Sequence, residues 1–476
     1  MPNRRGRPLP PSEGRMLSRM RDWRAAHQGE LTPEGLDQDD DPDMPDARVI
    51  NLVLRVGELM LASGEGTEAV SEAMLSLSVA FELPRSEVSV TFTTISLSTH
   101  PGRDQHPITG ERVVRRRTLD YFRVNELHTL VEQAALGLLE VEDATARFKQ
   151  IQRARMPYPN WGIVVGFGLI ASSAGLMMGG GLIVASVAFL ATVLGDRAAA
   201  LLARRGVAEF YQMVGASVMA ATIGALLLWI NYEMDLGLQA GAVITGNIMA
   251  LLPGRPLVSS LQDGVSGSYV SANARLLETF FTLGAIVSGV GVVAYTAVRL
   301  GVAMDLENLP SAGTSLGPLV LIGAAGIAMA FAVSLAVPPR LLPAIGLMGV
   351  MIWSIYAGLR SVLEVPPVLA TVVGAVAVGV VGHWLARRTR RPVLPYLIPS
   401  IAPLLPGSIL YRGLIEITQG TAVSGLLSLV EAVTVGLALG AGVNLGGELM
   451  RAFQRGGLAG AGMRSRPAAR RTRGGY

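Results

Sequence analysis

The 476-residue sequence contains no cysteine, and charged residues make up only 16% of it. Without cysteine the chain cannot form disulfides, thiolate nucleophiles or cysteine metal sites. A soluble protein carries charge on about a quarter of its residues. The deficit is uneven, because residues 156–195 contain no Asp, Glu, Lys, Arg or His. These absences indicate a membrane protein whose polar residues are concentrated in residues 1–155.

Two further absences narrow the function classes. The formal net charge is only +4, which is too small to argue for nucleic-acid binding, and the arginines lie beside apolar runs, where membrane topology explains them better. The sequence also lacks the G-x-x-x-x-G-K-[ST] pattern of a phosphate-binding loop. No ATP site and no cofactor are therefore expected.

Long apolar runs after residue 156 predict ten transmembrane helices. A spanning helix needs about 20 apolar residues, and three consecutive glycines at 179–181 separate the first two runs. The predicted spans are 161–178, 182–203, 210–231, 236–254, 271–298, 315–337, 341–359, 366–386, 393–411 and 422–448.

Basic residues near the spans predict the orientation, because they are enriched in cytoplasmic loops. The opposite side carries only Arg299, Arg360 and Arg412. Both termini are therefore expected in the cytoplasm, with the basic tail over 451–476 disordered and touching anionic lipid. The arginine-rich side contains Arg147, Lys149, Arg153, Arg155, Arg197, Arg204, Arg205, Arg255, Arg275, Arg340, Arg387, Arg388, Arg390 and Arg391.

A repeated pattern divides the apolar part into two halves. "LLPGRPLVSSLQDGVSG" begins at Leu251 and "LLPGSILYRGLIEITQG" at Leu404, and 14 of 40 positions are identical when residues 251–290 are aligned at this offset. Five predicted spans separate the two stretches, so they face opposite sides of the membrane. The pattern predicts a 5+5 inverted repeat with halves at 156–306 and 307–450, an architecture of secondary transporters.

Polar residues shared by the halves are the candidate substrate and proton pathway, because a carboxylate inside a membrane is costly and usually functional. Glu278 and Glu431 occupy equivalent positions in spans 5 and 10, where each could face a cavity and take up a proton. A structural partner for Arg275 or Arg412 is the alternative. The other candidates are Asp263 with its repeat partner Glu416, Asn247 with its partner Ser400, and the helix breaks at Pro253, Gly254, Pro406 and Gly407.

Simpler explanations apply to several polar residues. Asp263 and Glu416 also fit ordinary solvated acids in loops, and polar side chains within spans, such as Asn273 and Asn444, often bond only to neighbouring helices. Local ion pairs at the membrane surface are predicted for Asp196 with Arg197 and for Glu448 with Arg451.

The polar stretch 47–155 predicts a small α+β cytoplasmic module that follows a disordered tail over residues 1–46. The tail has blocks of arginines and of acids and almost no apolar periodicity. In the module, helical spacing of apolar residues predicts helices over 49–61, 67–81, 124–139 and 142–153, and β-branched residues predict a strand over 87–99 with a partner over 111–118.

Two groups in the module resemble chemical sites. Two histidines and an acid, His100, Asp104 and His106, could hold a metal, but a solvated hairpin loop explains them better and no metal is expected. A second group resembles a hydrolase patch, yet its residues also match helix capping, with Thr67 as the cap. This second group consists of Ser63, Glu65, Thr67, Glu68 and Ser71.

Over about residues 47–450 the chain resembles the threonine/serine exporter family of bacterial plasma-membrane carriers. The resemblance rests on "LRVGELMLASGEGTEAV" at 54–70, "SVTFTTISLS" at 89–98, "NIMALLPGRPLVSSLQDGVSG" in the first half and "LIPSIAPLLPGSILYRG" in the second. It implies a multi-pass plasma-membrane exporter rather than an enzyme, with threonine, serine, protons and membrane lipid as partners. Export would use the proton-motive force, and a homo-oligomer stays open. The resemblance does not explain the tail before residue 47.

Three alternatives stay open from the sequence. The transporter could take another small metabolite or a drug, because one fold serves different solutes. The chain could be a membrane-anchored hydrolase that acts through the 47–155 module, although ten spans exceed what an anchor needs. The module could instead sense the amino acid and gate the helices.

Overall fold

The computed structural model of the chain describes residues 45–101, 106–114, 120–235, 241–251, 256, 260, 263–264, 267–301, 313–389, 391–418 and 421–457. The predicted tail over 1–46 falls outside the described residues up to Met44, and so do residues 458–476 of the C-terminal tail. The predicted repeat boundary at 306/307 also lies outside them, as do five residues named above: Asp104, Pro253, Gly254, Arg255 and Arg390.

The described residues of the polar part fold into four helices and one small sheet. The Asp46 carboxylate caps the first helix by accepting a hydrogen bond from the Arg48 backbone N–H at 2.7 Å. The helices are α1 (Ala47–Ala62), α2 (Thr67–Ala80), α3 (Tyr121–Ala135) and α4 (Val141–Arg153), and the strands are β1 (Glu87–Val90), β2 (Thr94–Thr99) and β3 (Ile108–Val113).

The sheet is antiparallel with the order β1-β2-β3. The prediction of one continuous strand over 87–99 was wrong, because the chain turns between β1 and β2 and pairs Val90 with Ile95. The turn contains no glycine or proline, and its threonines continue the β-branched pattern, which hides it in the sequence. The Thr91 side chain and backbone bond to the backbone of Thr94 and close the turn.

The core of the module lies between the sheet and the helices. Side chains of β2 alternate between the two faces, and Ile95 and Leu97 are fully buried. They belong to one cluster with Val53 of α1, Leu127 of α3 and Phe148 of α4. The apolar spacing that predicts α1 therefore marks the face that covers the sheet.

The rest of the chain is a set of apolar helices. They are α5 (Asn160–Met177), α6 (Gly181–Arg204), α7 (Glu209–Met234), α8 (Gly241–Leu251), α9 (Tyr269–Arg299), α10 (Pro318–Ser334), α11 (Leu342–Val362), α12 (Pro367–Thr389), α13 (Leu394–Ser400), α14 (Gly407–Thr418) and α15 (Ala422–Gly457). Among the described residues, seven helices are long and apolar enough to cross a membrane, namely α5, α6, α7, α9, α11 with its preceding turn, α12 and α15. The chain is therefore a polytopic helical membrane protein.

Large apolar side chains cover the outside of these helices. Leu182 is 73% exposed, Phe281 62% and Leu347 72%, which in water would be unfavourable over such an area. In a bilayer the same side chains contact lipid tails. The outer surface thus supports the membrane assignment independently of helix length.

Within the described residues, the predicted spans 4, 6 and 9 correspond to shorter apolar helices. Span 9 is interrupted: α13 ends at Ser400, a 3₁₀ turn covers Ala402–Leu404, Leu405 is extended and α14 begins at Gly407. The cause is visible in the sequence, because the prolines at 399, 403 and 406 cannot donate the backbone hydrogen bonds that a continuous helix requires.

Close backbone contacts hold the apolar helices together. Helix α5 packs against α6, α8 and α10, and α12 packs against α15. At the α12–α15 crossing, a Cβ on Gly446 would lie 2.8 Å from the Cα of Gly379. Only glycine permits this distance, as in small-residue interfaces of membrane helices.

The module rests directly on the ends of the apolar helices. The backbone N–H of Tyr121, at the start of α3, donates to the carbonyl of Leu335 at 3.0 Å. The Tyr158 hydroxyl donates to the carbonyl of Val337 at 2.8 Å. Both acceptors follow α10, so the loop that contains Arg340 lies on the same face as the module.

Candidate functional site

Asp263 and Arg275 form a buried ion pair between the first-half repeat motif and helix α9. The Arg275 Nε lies 2.9 Å from Asp263 Oδ2, and the two residues are 6% and 3% exposed. Helix α9 has 31 residues and is thus about 46 Å long at 1.5 Å per residue, longer than a bilayer core requires. Its first turns extend toward the module and carry Arg275 to this pair.

Thr67 of the module reaches the same carboxylate. Its hydroxyl donates to Asp263 Oδ1 at 3.2 Å. The prediction that Thr67 caps α2 was wrong. Gly66 occupies the N-terminal capping position, and Thr67 is the first residue of the helix. Burial raises the pKa of the Asp263 carboxyl, while the charge of Arg275 and the Thr67 hydrogen bond act in the opposite direction.

Phe92 adds a second contact between the module and the ion pair, this time with Arg275. Its ring lies in the turn between β1 and β2, with the guanidinium carbon of Arg275 5.7 Å from the ring centre. This is the geometry of a cation–π contact. The hairpin that the sequence conceals therefore presents its turn to helix α9.

Glu65 and His128 continue this group into the module. Glu65 is fully buried, and its Oε2 lies 2.8 Å from His128 Nε2. Burial lowers the pKa of the His128 imidazole, but the hydrogen bond and charge of Glu65, with the charge of Glu72, outweigh it and leave the pKa raised. We call the six side chains the junction cluster: Glu65, Thr67, Phe92, His128, Asp263 and Arg275.

The other members of the predicted hydrolase patch have structural roles. Ser63 is the C-terminal capping position of α1 and is 1% exposed. The Ser71 hydroxyl donates to the Thr67 carbonyl within α2 at 2.9 Å, and Glu68 lies in the first turn of that helix. Glu65 and Thr67 are thus the two whose side chains bond to residues far along the chain.

Asn247 and Ser400, the predicted repeat partners, are both buried inside the apolar part. Asn247 is 2% exposed, and its Oδ1 accepts a hydrogen bond from the Thr192 hydroxyl. Among the described residues its Nδ2 has no hydrogen-bond partner. Ser400 is fully buried and donates to the Tyr396 carbonyl at 2.7 Å. Asn247 is therefore the one with a donor left to offer within the described structure.

Glu278 and Glu431 lie on α9 and α15, and both side chains are exposed on the surface of the chain. The two helices meet nearby, because Leu283 of α9 and Ala432 of α15 form one buried cluster. The structure therefore brings the acid-bearing helices together at Leu283 and Ala432, while both acids are exposed. Asn273 and Asn444, on the same two helices, are also exposed.

Glu416 is partly buried on α14, away from Asp263's partners. Its Oε2 accepts a hydrogen bond from the Ser428 hydroxyl of α15 at 2.7 Å. The helices approach closely enough for this bond because Gly425 has no side chain. A Cβ at that position would lie only 2.5 Å from the Gly413 carbonyl oxygen. The two repeat-related acids thus have different partners, an arginine for Asp263 and a serine for Glu416.

The remaining predicted residues are placed as follows. Asp196 pairs with Arg197 at 2.7 Å, and Glu448 pairs with Arg451, so both predicted local ion pairs are confirmed. Asp104 lies outside the described residues, and the described part of the chain contains no group of three side chains suited to a metal.

The sequence interpretation missed the long-range contacts of the junction cluster. Its only signal is that polar residues occur inside otherwise apolar motifs: Glu65 and Thr67 follow α1 directly, and Asp263 follows an apolar run. Phe92 and His128 carry no local signal. Partners that lie far apart in the chain cannot be read from local spacing.

Comparisons with known proteins agree on one family. The family model described as "Putative threonine/serine exporter" matches residues 51–297, and the one described as "Threonine/Serine exporter, ThrE" matches residues 321–447. The "Probable threonine/serine exporter" of Mycobacterium tuberculosis is 31% identical over 412 residues, which are 85% of this chain and 77% of the relative. The "Threonine/serine exporter" of Corynebacterium glutamicum is 28% identical over 411 residues, which are 86% and 84% of the two chains. No solved structure gives a significant match.

Proposed function

The chain belongs to the threonine/serine exporter family, and from this premise we propose that it exports threonine and serine across the plasma membrane, driven by the proton-motive force. The observation that carries the proposal is the likeness to named exporters over 85% of this chain. The relatives are named as threonine/serine exporters, and we extend that activity to this chain. The proton as the driving ion is our addition and rests on the membrane acids.

We propose that the apolar part has ten spans in a 5+5 inverted repeat, with halves at 156–306 and 307–450. Seven long helices and three shorter apolar ones fall on the ten predicted spans. The two interrupted or short elements, α8 and α13–α14, occupy equivalent places in the halves, as expected for a substrate site at discontinuous helices.

We propose an orientation that starts from the contact between the module and Asp263. Asp263 lies on the side of the module, because Thr67 bonds to it. With five proposed spans between them, Glu416 would lie on the opposite side. With both termini and the 47–155 module in the cytoplasm, the junction cluster covers the inner end of the pathway, and Glu416 lies toward the outer end.

The proposed mechanism is alternating access around polar groups of the two halves. The Asn247 amide donor, which has no partner among the described residues, can bind a substrate carboxylate, and Ser400 is its repeat counterpart. Glu278 and Glu431 take up and release the proton at the contact of α9 and α15. The Asp263–Arg275 pair is closed in this structure, and its opening on the inner side would admit substrate.

The test is efflux of labelled threonine from proteoliposomes with an imposed proton gradient. Wild type is compared with Glu278→Gln, Glu431→Gln and the double variant, each with and without an uncoupler. Glu448→Gln is the matched control, because it removes an acid of α15 that is paired locally with Arg451. We expect uncoupler-sensitive efflux in wild type and the control, and its loss in the double variant.

Two results would contradict the proposal in different ways. Efflux that ignores both the glutamine substitutions and the uncoupler would remove proton coupling through this pair. An absence of threonine and serine efflux in correctly folded wild type would remove the proposed substrates. A panel of other metabolites and drugs, measured in the same vesicles, would then identify the solute.

A further inference from the structure

A cleft of about 620 Å³ lies between the module and the apolar helices. One wall is formed by α2 and α3 of the module, and the other by the end of α12 and the residues that follow it. Its volume is typical of small-molecule sites, which occur preferentially between domains. The lining includes Glu72, His128, Glu132, His383, Arg387 and Arg391.

The two walls carry opposite charges. Glu72 and Glu132 on the module wall are acidic, and Arg387 and Arg391 on the facing wall are basic. Small apolar side chains also line both walls, among them Ala69, Ala73 and Ala386. A molecule that fits both walls has a negative and a positive group on a short apolar body. This is the chemistry of a free α-amino acid in its dipolar form.

We propose that this cleft is a cytoplasmic binding site for a free α-amino acid, separate from the membrane pathway. Its carboxylate would pair with the guanidinium groups of Arg387 and Arg391, which suit bidentate contacts with carboxylates. Its ammonium group would face Glu72 and Glu132. None of Glu278, Glu431, Asn247 and Ser400 lines the cleft. The inference rests on the proposed function for the identity of the amino acid, threonine or serine.

The cleft connects to the junction cluster through one side chain. His128 lines the cleft and bonds to the buried Glu65. Glu65 lies two residues before Thr67, whose hydroxyl bonds to Asp263. A ligand between the walls would therefore contact His128 and, through its bond to Glu65, adjoin the junction cluster. A ligand shifts the junction cluster between two states only if it binds one of them more tightly. With such a preference, the site would make export depend on the amino-acid concentration inside the cell.

The experiment measures binding and efflux with the full chain in nanodiscs and proteoliposomes. The variants are Glu132→Gln and the double variant Arg387→Gln/Arg391→Gln. The matched control is Arg388→Gln, because Arg388 lies beside Arg387 but covers the ring of Trp384 at 5.2 Å and does not line the cleft. Size-exclusion profiles and melting temperatures establish that each variant is folded, and Glu132→Gln tests the opposite wall independently.

The probes are L-threonine, 1-aminopropan-2-ol, which lacks the carboxylate, and 3-hydroxybutyrate, which lacks the ammonium group. We expect calorimetry to show a threonine site in wild type and in Arg388→Gln that weakens at least about tenfold in both cleft variants, since each loses a charge-assisted contact. Each truncated probe should also bind wild type at least about tenfold more weakly than threonine. In efflux, the half-saturating internal threonine concentration should rise about tenfold in the cleft variants, with the maximal rate retained.

Binding and efflux in both cleft variants that match Arg388→Gln would overturn the inference. So would binding that requires phosphatidylglycerol in the nanodisc and ignores threonine, because the arginine wall would then hold a lipid headgroup. Wild type could export no threonine and still bind an amino acid, with that binding lost in the cleft variants. The proposed export function would then fail while the cleft site stands. If efflux depends on Glu278 and Glu431 but not on the cleft residues, the reverse holds.

Discussion

The hydroxyl of Thr67 donates a hydrogen bond to the carboxylate of Asp263, 196 residues later in the chain, at 3.2 Å. One residue belongs to the module and the other to the repeated motif that follows α8. Their contact joins the polar module to the stretch that precedes α9. It also turns two local sequence motifs into one structural unit.

Replacing Thr67 tests how much this contact contributes. We expect Thr67→Val to lower the free energy of unfolding by about 1–3 kcal/mol, because it leaves a buried carboxylate oxygen short of a donor. Thr67→Ser should restore most of the stability. Apparent melting temperatures in detergent measure the effect. Ser71→Ala is the control, since its hydroxyl bonds only within α2, and an equal loss in that variant would argue against the contact.

The Asp263–Arg275 pair should show strong coupling. We expect Arg275→Gln to cost about 3–5 kcal/mol, because it leaves the Asp263 charge buried without its partner. The double variant Asp263→Asn/Arg275→Gln should cost less than the sum of the single variants. A double-mutant cycle on melting temperatures measures this, and strictly additive losses would show that the pair does not interact.

The pKa of His128 predicts a pH dependence of stability. Its folded-state value lies above the ordinary 6.5, so the protonated form stabilises the fold. This contribution is fully present below pH 6.5 and is lost as the pH rises through the folded-state pKa. The difference in melting temperature between wild type and His128→Gln should therefore be largest at about pH 5.5 to 6 and decline toward alkaline pH. A difference that grows with pH would contradict the assignment.

The glycine crossing of α12 and α15 predicts a packing defect. We expect Gly446→Val to destabilise the protein by about 1–3 kcal/mol or more, because the added side chain meets the backbone of Gly379. Gly291→Val is the matched control, since a Cβ on Gly291 of α9 meets nothing within 4 Å. Fluorescence-detected size-exclusion after heating compares the two. Similar melting of both variants would show that the crossing tolerates a side chain.

The sequence predicted the helices well because their causes are local. Apolar runs around α5, α6 and α7 place those helices within a few residues, since a membrane span depends mainly on composition and length. The same reasoning overestimated span 9, because proline positions rather than apolarity end α13 at Ser400. The turn at Phe92 was missed because threonine favours a strand wherever its tertiary context is unknown.

The candidate site was predictable only in part. Asp263 stands out as an acid after an apolar run, and Asn247 and Ser400 stand out as polar residues in apolar helices. Nothing local shows that Thr67 bonds to Asp263 rather than capping its own helix, because both uses of a hydroxyl fit the same motif. The cleft is also invisible in the sequence, since its walls come from residues that lie more than 200 positions apart.

The placement of the module on three separate stretches of the apolar part constrains any chimera of these exporters. Asp263, Arg275 and Leu335 each receive a contact from the module. A module grafted from a relative will seat only where the recipient supplies the matching carboxylate, guanidinium and carbonyl together. The interface therefore behaves as one unit, so a chimera that exchanges one side of it must exchange the other.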